Sequence, residues 1–312
     1  MSARSEIALP LLQRLWIYQA ERIPLFRTAI LLAVFSAASI NVSAFLSERP
    51  LPDWTAYATA FAVSLVIFIQ LRACDEYKDG PDDARYRPER PIPRGLVSLH
   101  LILGIAAALV PLAALAAFAY HPAVLVLLLI VWIWMALMTV EFFVPQWLKA
   151  RPILYLTSHM AIMPLLDLFV TGVEWLPAAG QPAEALVLFL LLSFVNGCVL
   201  EIGRKIWAPD NEREGVETYS GLWGVDRAIT IWMATIGLAF VLLVAVGLAT
   251  GYVLFTAVAG LLMLVFAWRT ALAMRRTGDA RTQEKLDQVS GFWVFVCYFA
   301  AGFAPLGESL LP

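Results

Sequence analysis

The chain has 312 residues, 61% hydrophobic and 15% charged, with a mean hydropathy of +0.77, against about 45–50% apolar and about 25% charged for a soluble domain. These values exclude a soluble enzyme, a disordered chain and a disulfide-stapled secreted module, and they leave a polytopic membrane protein. A net charge of −2 provides no basic field for nucleic acid.

Residues 1–26 break their apolar positions with Arg4, Glu6, Arg14, Glu21 and Arg22, so they lack the unbroken apolar core of a cleavable signal. Leu11, Leu12, Leu15 and Trp16 share one helix face, which predicts a short helix lying on the membrane surface. Residues 27–312 form the membrane domain. Nine apolar segments follow, at roughly 27–46, 55–74, 98–119, 122–142, 152–171, 185–203, 228–249, 252–273 and 288–309. Each is long enough to cross a hydrocarbon core of about 30 Å as a helix. Cys74, Cys198 and Cys297 lie far apart in or beside these segments and read as free, buried thiols.

Of the 22 Lys and Arg residues, all but Arg49 fall on one side of a nine-span topology. The positive-inside rule then places the N-terminus in the cytoplasm and the C-terminus outside. The Ala-, Leu- and Arg-rich composition is consistent with a bacterial plasma membrane.

Two cytoplasmic connections are dense in acids. The first carries Asp75, Glu76, Asp79, Asp82 and Asp83 at and beyond the end of the second span. Asp75 and Asp79 are four apart, and Glu76 and Asp79 three apart, which puts carboxylates on neighbouring positions of a helix face. Gly80-Pro81 then turns the chain. Clustered carboxylates need compensation, either from solvent and nearby arginines or from a divalent cation such as Mg²⁺, which uses one or two carboxylates and bridges to phosphate oxygens. The second cluster opens with Glu201, Arg204 and Lys205 at the end of the sixth span and continues through Asp210, Glu212, Glu214 and Glu217. Glu201 and Lys205 could equally be a plain i,i+4 ion pair.

The run Asp75-Glu76-Tyr77-Lys78-Asp79-Gly80-Pro81-Asp82-Asp83, followed by Arg87-Pro88-Glu89-Arg90-Pro91-Ile92-Pro93-Arg94-Gly95, resembles the first signature of the UbiA superfamily of intramembrane prenyltransferases. That signature is Asn-Asp-x-x-Asp-x-x-x-Asp and then Arg-Pro-x-Arg-Pro-Ile-Pro-x-Gly. Asp75 stands where the family has Asn, and Glu76 where it has the first Asp. The second motif departs further: Glu201-x-x-x-Lys205 and Asp210-x-x-x-Glu214 stand near the place of the family's Asp-x-x-x-Asp.

The resemblance implies an all-α fold of nine transmembrane helices around a central cavity. It also implies Mg²⁺-dependent transfer of a prenyl group from a polyprenyl diphosphate to a hydrophobic, typically aromatic acceptor within the bilayer. On that reading Asp75, Glu76, Asp79, Asp83, Glu201 and Asp210 hold metal, with Glu212 or Glu214 in reserve. Arg72, Lys149, Arg204, Arg87 and Arg90 cradle the diphosphate with Lys205, and Arg94 lies behind them. His159 and Asp167 lie eight apart inside the fifth span, and intramembrane ionisable groups are functional candidates. His159 could orient or deprotonate an acceptor, or simply bond between helices. Asn41 and Glu174 read as structural or external.

Other readings compete. Asp79-Gly80 and Ala84-Arg85 superficially match the start of a CDP-alcohol phosphotransferase motif, but one residue too many separates Gly80 from Ala84. A transporter would place polar residues near mid-membrane, whereas charge here gathers at one face. A catalytically silent, lipid-binding relative would account for the altered acids.

Overall fold

A computed structural model describes residues 6 and 8–305, and every element among them is helical. Amphipathic helix α1 (Leu11–Arg22) precedes α2 (Leu25–Leu46) and α3 (Trp54–Lys78). Short α4 (Gly80–Tyr86) leads through a turn-rich segment to α5 (Leu99–Tyr120) and α6 (Pro122–Thr139). After α7 (Pro145–Lys149), the fifth apolar segment forms two helices, α8 (Pro152–Met160) and α9 (Ile162–Ala179). The break at Ala161 has a local cause: Pro164, in the first turn of α9, has no N–H to give a carbonyl in α8. Next come α10 (Leu186–Arg204), α11 (Tyr219–Trp223), α12 (Val225–Thr250), α13 (Val253–Thr277) and α14 (Ala280–Gly302).

Eight segments are long and apolar enough to cross a membrane: α2, α3, α5, α6, the α8–α9 pair, α10, α12 and α13. The segment expected at 288–309 differs from its reading. Its helix begins at Ala280, where Asp279 accepts from the Thr282 amide at 2.8 Å, and its first turns are the polar run ARTQEKLDQ. It therefore falls short of the apolarity of the other eight, and the end of the expected segment lies outside the described residues.

Consecutive long helices pack on one another, and α14 returns against α2 to close the ring. Where α2, α9, α10 and α14 meet, a polar knot fills the interior. Asp167, fully buried, accepts from Ser39 Oγ at 2.6 Å and from the Tyr298 hydroxyl at 2.5 Å, and Tyr298 also reaches Ser193 at 3.1 Å. Each polar group there has a protein partner, as buried polar groups require. Asn41 bonds Gly302 O and Tyr57, and Glu174 takes Arg49 in two bonds of 2.7 and 2.8 Å. The structural reading of Asn41 and Glu174 thus has a physical basis, and Asp167 belongs with them.

Candidate active site at one end of the bundle

Three connections converge where α3, α6 and α10 end. They enclose a cavity of about 450 Å³. Asp79, Asp82, Asp83, Tyr86 and Arg87 line it from the α3–α5 connection, and Glu141, Lys149, Pro152 and Tyr155 from the α6–α8 connection. Lys205 and the stretch 215–219 line it from the α10–α12 connection. The first and third connections interlock: Gly215, at φ 75, passes so close to the Tyr86 ring that a methyl group there would overlap it.

Of the residues expected to form the site, Asp79, Asp83, Arg87, Lys149 and Lys205 line this cavity. Asp83 is 3% exposed and holds Arg90 at 2.5 Å and Arg87 at 3.4 Å, so its charge is already spent on two guanidinium groups. Asp79 and Asp82 make no ion pair within 4.0 Å among the described residues. Burial, with Asp75 and Asp83 nearby, pushes the Asp79 carboxyl above its ordinary range, while Lys78 and Lys205 pull it down. A half-buried carboxylate in that position gains most from a cation.

The other expected residues sit off the cavity. Arg72 pairs with Asp75 at 3.4 Å on the flank of α3. Glu201 is clasped by Arg204 at 2.5 Å and Lys205 at 2.9 Å, so it positions Lys205 at the cavity wall. Arg90 serves Asp83. His159 stacks behind Tyr155 at 4.0 Å, and its Nδ1 lies 2.9 Å from Tyr155 O.

Two further metal candidates, Asp210 and Glu76, also lie off the cavity. Asp210 is exposed on the turn Pro209–Asn211, whose neighbour Asn211 bonds Gln283 of α14, and it does not line the cavity. Glu76 does not line the cavity. Its helix face, shared with Gln70 and Ala73, packs toward α1 and α5, where Glu76 accepts from Arg22 Nε at 2.5 Å and from Tyr18 at 3.5 Å. Successive helix positions step by about 100° (3.6 per turn), so Asp75 and Glu76 cannot share a direction. Of the reserve acids, Glu212 is consumed within its own loop, accepting from Thr218 and Ser220, while Glu214 is exposed. Glu76→Gln is therefore expected to leave Mg²⁺-dependent diphosphate binding within about twofold of the parent, while amide exchange in 11–22 accelerates as the tie to α1 weakens.

Sequence reasoning passed over Lys78, Glu141 and Tyr155 as site residues. Lys78 Nζ donates to the Tyr155 hydroxyl at 3.0 Å, and that hydroxyl donates to Glu141 Oε1 at 3.5 Å. Lys149 Nζ lies 3.8 Å from the same carboxylate oxygen. Lys78 stands inside the first signature run, and Glu141, Lys149 and Arg151 mark the fourth connection as charged, which were the signals that could have found them.

No point among the described residues gathers three or more metal-ligating side chains. A Mg²⁺ needs fewer, because one or two carboxylates suffice when waters and substrate phosphates complete its shell. Asp79 and Asp82 fit that requirement, facing Lys149, Lys205 and Arg87.

A family model for the UbiA prenyltransferase family matches residues 32–296. The chain belongs to this family. Solved UbiA homologues share the fold at low identity. One from Aeropyrum pernix K1, in its apo form, has a TM-score of 0.68 at 17% identity, covering 89% of this chain and 98% of its own. One from Archaeoglobus fulgidus, bound to GPP and Mg²⁺, has a TM-score of 0.55 at 11% identity over the same shares. A structure concerned with digeranylgeranylglyceryl phosphate synthase in membranes has a TM-score of 0.61 at 16% identity, covering 94% of this chain and 99% of that one. No curated protein sequence matches. Membership in the UbiA family therefore rests on the family model, and the structures establish the shared helical architecture.

Proposed function

We propose that this protein transfers a prenyl group from a polyprenyl diphosphate to a hydrophobic acceptor, typically aromatic, in a Mg²⁺-dependent reaction at the membrane. The observation that carries the reading is one cavity in which the unpaired Asp79 and Asp82 face Lys149, Lys205 and Arg87. Carboxylates alone would repel a diphosphate, and cations alone would need no acids. The mixture suits a diphosphate that brings a divalent cation with it.

Asp79, with Asp82, would hold Mg²⁺, which when bound neutralises charge on the leaving diphosphate. Lys205, steadied by Glu201, and Arg87, steadied by Asp83, take phosphate oxygens. Lys149 is partly exposed and free to swing from Glu141 toward the same group. Tyr86, Tyr155 and Tyr219 line the mouth, where aromatic rings favour positive charge on a departing allylic carbon. With a ninth span and the basic-residue bias, this mouth would open at the cytoplasmic face of a bacterial inner membrane. Residues 27–312 make up the catalytic unit, and α1 is a surface segment tied to it.

A second reading, a prenyl-lipid-binding relative without turnover, draws on the neutralised acids. Glu76, Asp83 and Glu201 all spend their charge on arginine or lysine. Thermal unfolding in detergent with geranylgeranyl diphosphate separates the readings. The expected result is a stability gain that needs donor and Mg²⁺ together, about 2.7 kcal/mol at a hundredfold excess over Kd. A gain with no product from any acceptor would favour the silent relative, and no gain with donors of any length would remove the donor site.

A further inference from the structure

We infer that Glu141 is the base that takes the acceptor's proton, and that the acceptor presents a hydroxyl group to it. The inference rests on the prenyl-transfer reading above and goes beyond it by assigning the other half of the reaction.

Glu141 lies outside both acidic motifs, yet it lines the cavity and is only 4% exposed. A buried carboxylate requires strong partners, and among the described residues this one has long contacts only: Tyr155 OH at 3.5 Å and Lys149 Nζ at 3.8 Å. Charge-assisted bonds run about 2.7–2.9 Å. Its bonding capacity is therefore largely open toward the cavity. The other acids there are engaged differently. Asp83 is bound by two arginines, Asp79 and Asp82 face the cation position, and Glu217 is exposed.

The backbone that presents Glu141 is strained. Glu141, Phe142 and Phe143 have φ values of 48, 54 and 63, three successive left-handed residues with no glycine among them. In that region Cβ crowds the following carbonyl, and such outliers persist only where the surroundings over-determine them. Here the Phe142 ring is pinned edge-on by Trp134 at 5.3 Å and by His159 at 6.2 Å, and His159 in turn stacks on Tyr155. Without this turn the chain from α6 would not bring Glu141 into the mouth beside Lys149. His159 is thus a positioning residue for the turn and for Tyr155.

The step balances without a further reactant. The prenyl C1–O bond breaks and its electron pair leaves with the diphosphate. The acceptor oxygen supplies the pair for the new C1–O bond, and its proton passes to a Glu141 carboxylate oxygen. Tyr155, receiving from Lys78, donates to that carboxylate and aims it. A hydroxyl can bond Glu141 before reaction, whereas a ring C–H offers no such bond.

The test uses purified full-length protein, geranylgeranyl diphosphate, Mg²⁺ and a series of phenols and fluorinated alcohols graded in acidity. Glu141→Gln is expected to slow transfer to the weakest acids by about 10²–10⁴-fold, the range for a general base. That loss should shrink as the acceptor O–H becomes more acidic. The donor-dependent rise in Tm should stay at the parent value, and Glu141→Asp should recover part of the rate. A Glu141→Gln variant that transfers at the parent rate, that loses the same factor for every acceptor, or that loses donor binding as well would overturn the assignment. So would a parent protein that binds donor but alkylates no hydroxyl compound. A parent that binds no donor with Mg²⁺ would instead remove the prenyl-transfer reading, and the assignment with it.

Discussion

Asp79→Asn is expected to abolish Mg²⁺-dependent binding of prenyl diphosphate while leaving the unliganded protein as stable as the parent or slightly more so. The two halves of this expectation have one cause. Burial and the neighbouring Asp75 and Asp83 raise the Asp79 carboxyl above its usual range, so holding it ionised costs the folded protein. The sign follows: with the folded value raised, the folded chain binds the extra proton, and this group's contribution to stability declines as pH rises through the raised value. An amide of the same shape removes that cost. It also removes the half-buried charge that faces Lys149 and Lys205 without an ion pair of its own. Donor affinity in Mg²⁺ should fall by at least about 100-fold, near 2.8 kcal/mol at about 1.4 kcal/mol per tenfold. Affinity without Mg²⁺ should hardly move. Calorimetric titration of donor with and without Mg²⁺, paired with thermal unfolding of the unliganded variant, reads both. Equal loss in the two titrations would mean that Asp79 acts on the diphosphate pocket and not through a cation.

The contrast between Asp79 and Glu76 shows where sequence legibility stops. Apolar runs located the long helices because backbone groups in lipid must bond internally, and no other element satisfies them over such lengths. The signature from Asp75 to Gly95 located the acidic end of the cavity. It did not say how α3 is rotated about its axis. That rotation comes from the helices packed along α3, chiefly α5 and α2, and it leaves Glu76 to Tyr18 and Arg22 of α1, more than fifty positions upstream, beside a separate small core. A motif written along a chain carries spacing, and rotation comes from what packs on the helix.

Glu141 was hidden for a different reason. Left-handed turns announce themselves through glycine or asparagine, and Glu-Phe-Phe contains neither. Its conformation is imposed by Trp134 and His159, from helices on either side. The break in the fifth span was legible in principle, because Pro164 stands inside the apolar run. The polar start of α14 was legible too, since Asp279 three residues before Thr282 is an N-cap signal.

Asp83→Ala should have the largest effect on stability, and for a reason unrelated to metal. The side chain is 4% exposed and binds Arg90 at 2.5 Å and Arg87 at 3.4 Å. Burial and the adjacent Arg90 already lower the Arg87 guanidinium, against the pull of Asp83 and Asp79. Removing Asp83 leaves two partly buried cations facing each other. Breaking a buried pair from one side costs about 3–5 kcal/mol. The arginine side chains are each 22% exposed, so water softens the loss and the lower end, about 3 kcal/mol, is expected. Donor affinity should fall with and without Mg²⁺ alike, because Arg87 lines the cavity and loses its anchor. Adding Arg90→Ala to Asp83→Ala should restore part of the stability by removing the repulsion, but not the affinity. The pair of variants therefore separates an acid that organises the arginine cradle from an acid that holds a cation. If Asp83→Ala instead matched Asp79→Asn, losing affinity only in Mg²⁺ with stability intact, Asp83 would move from the cradle to the cation site.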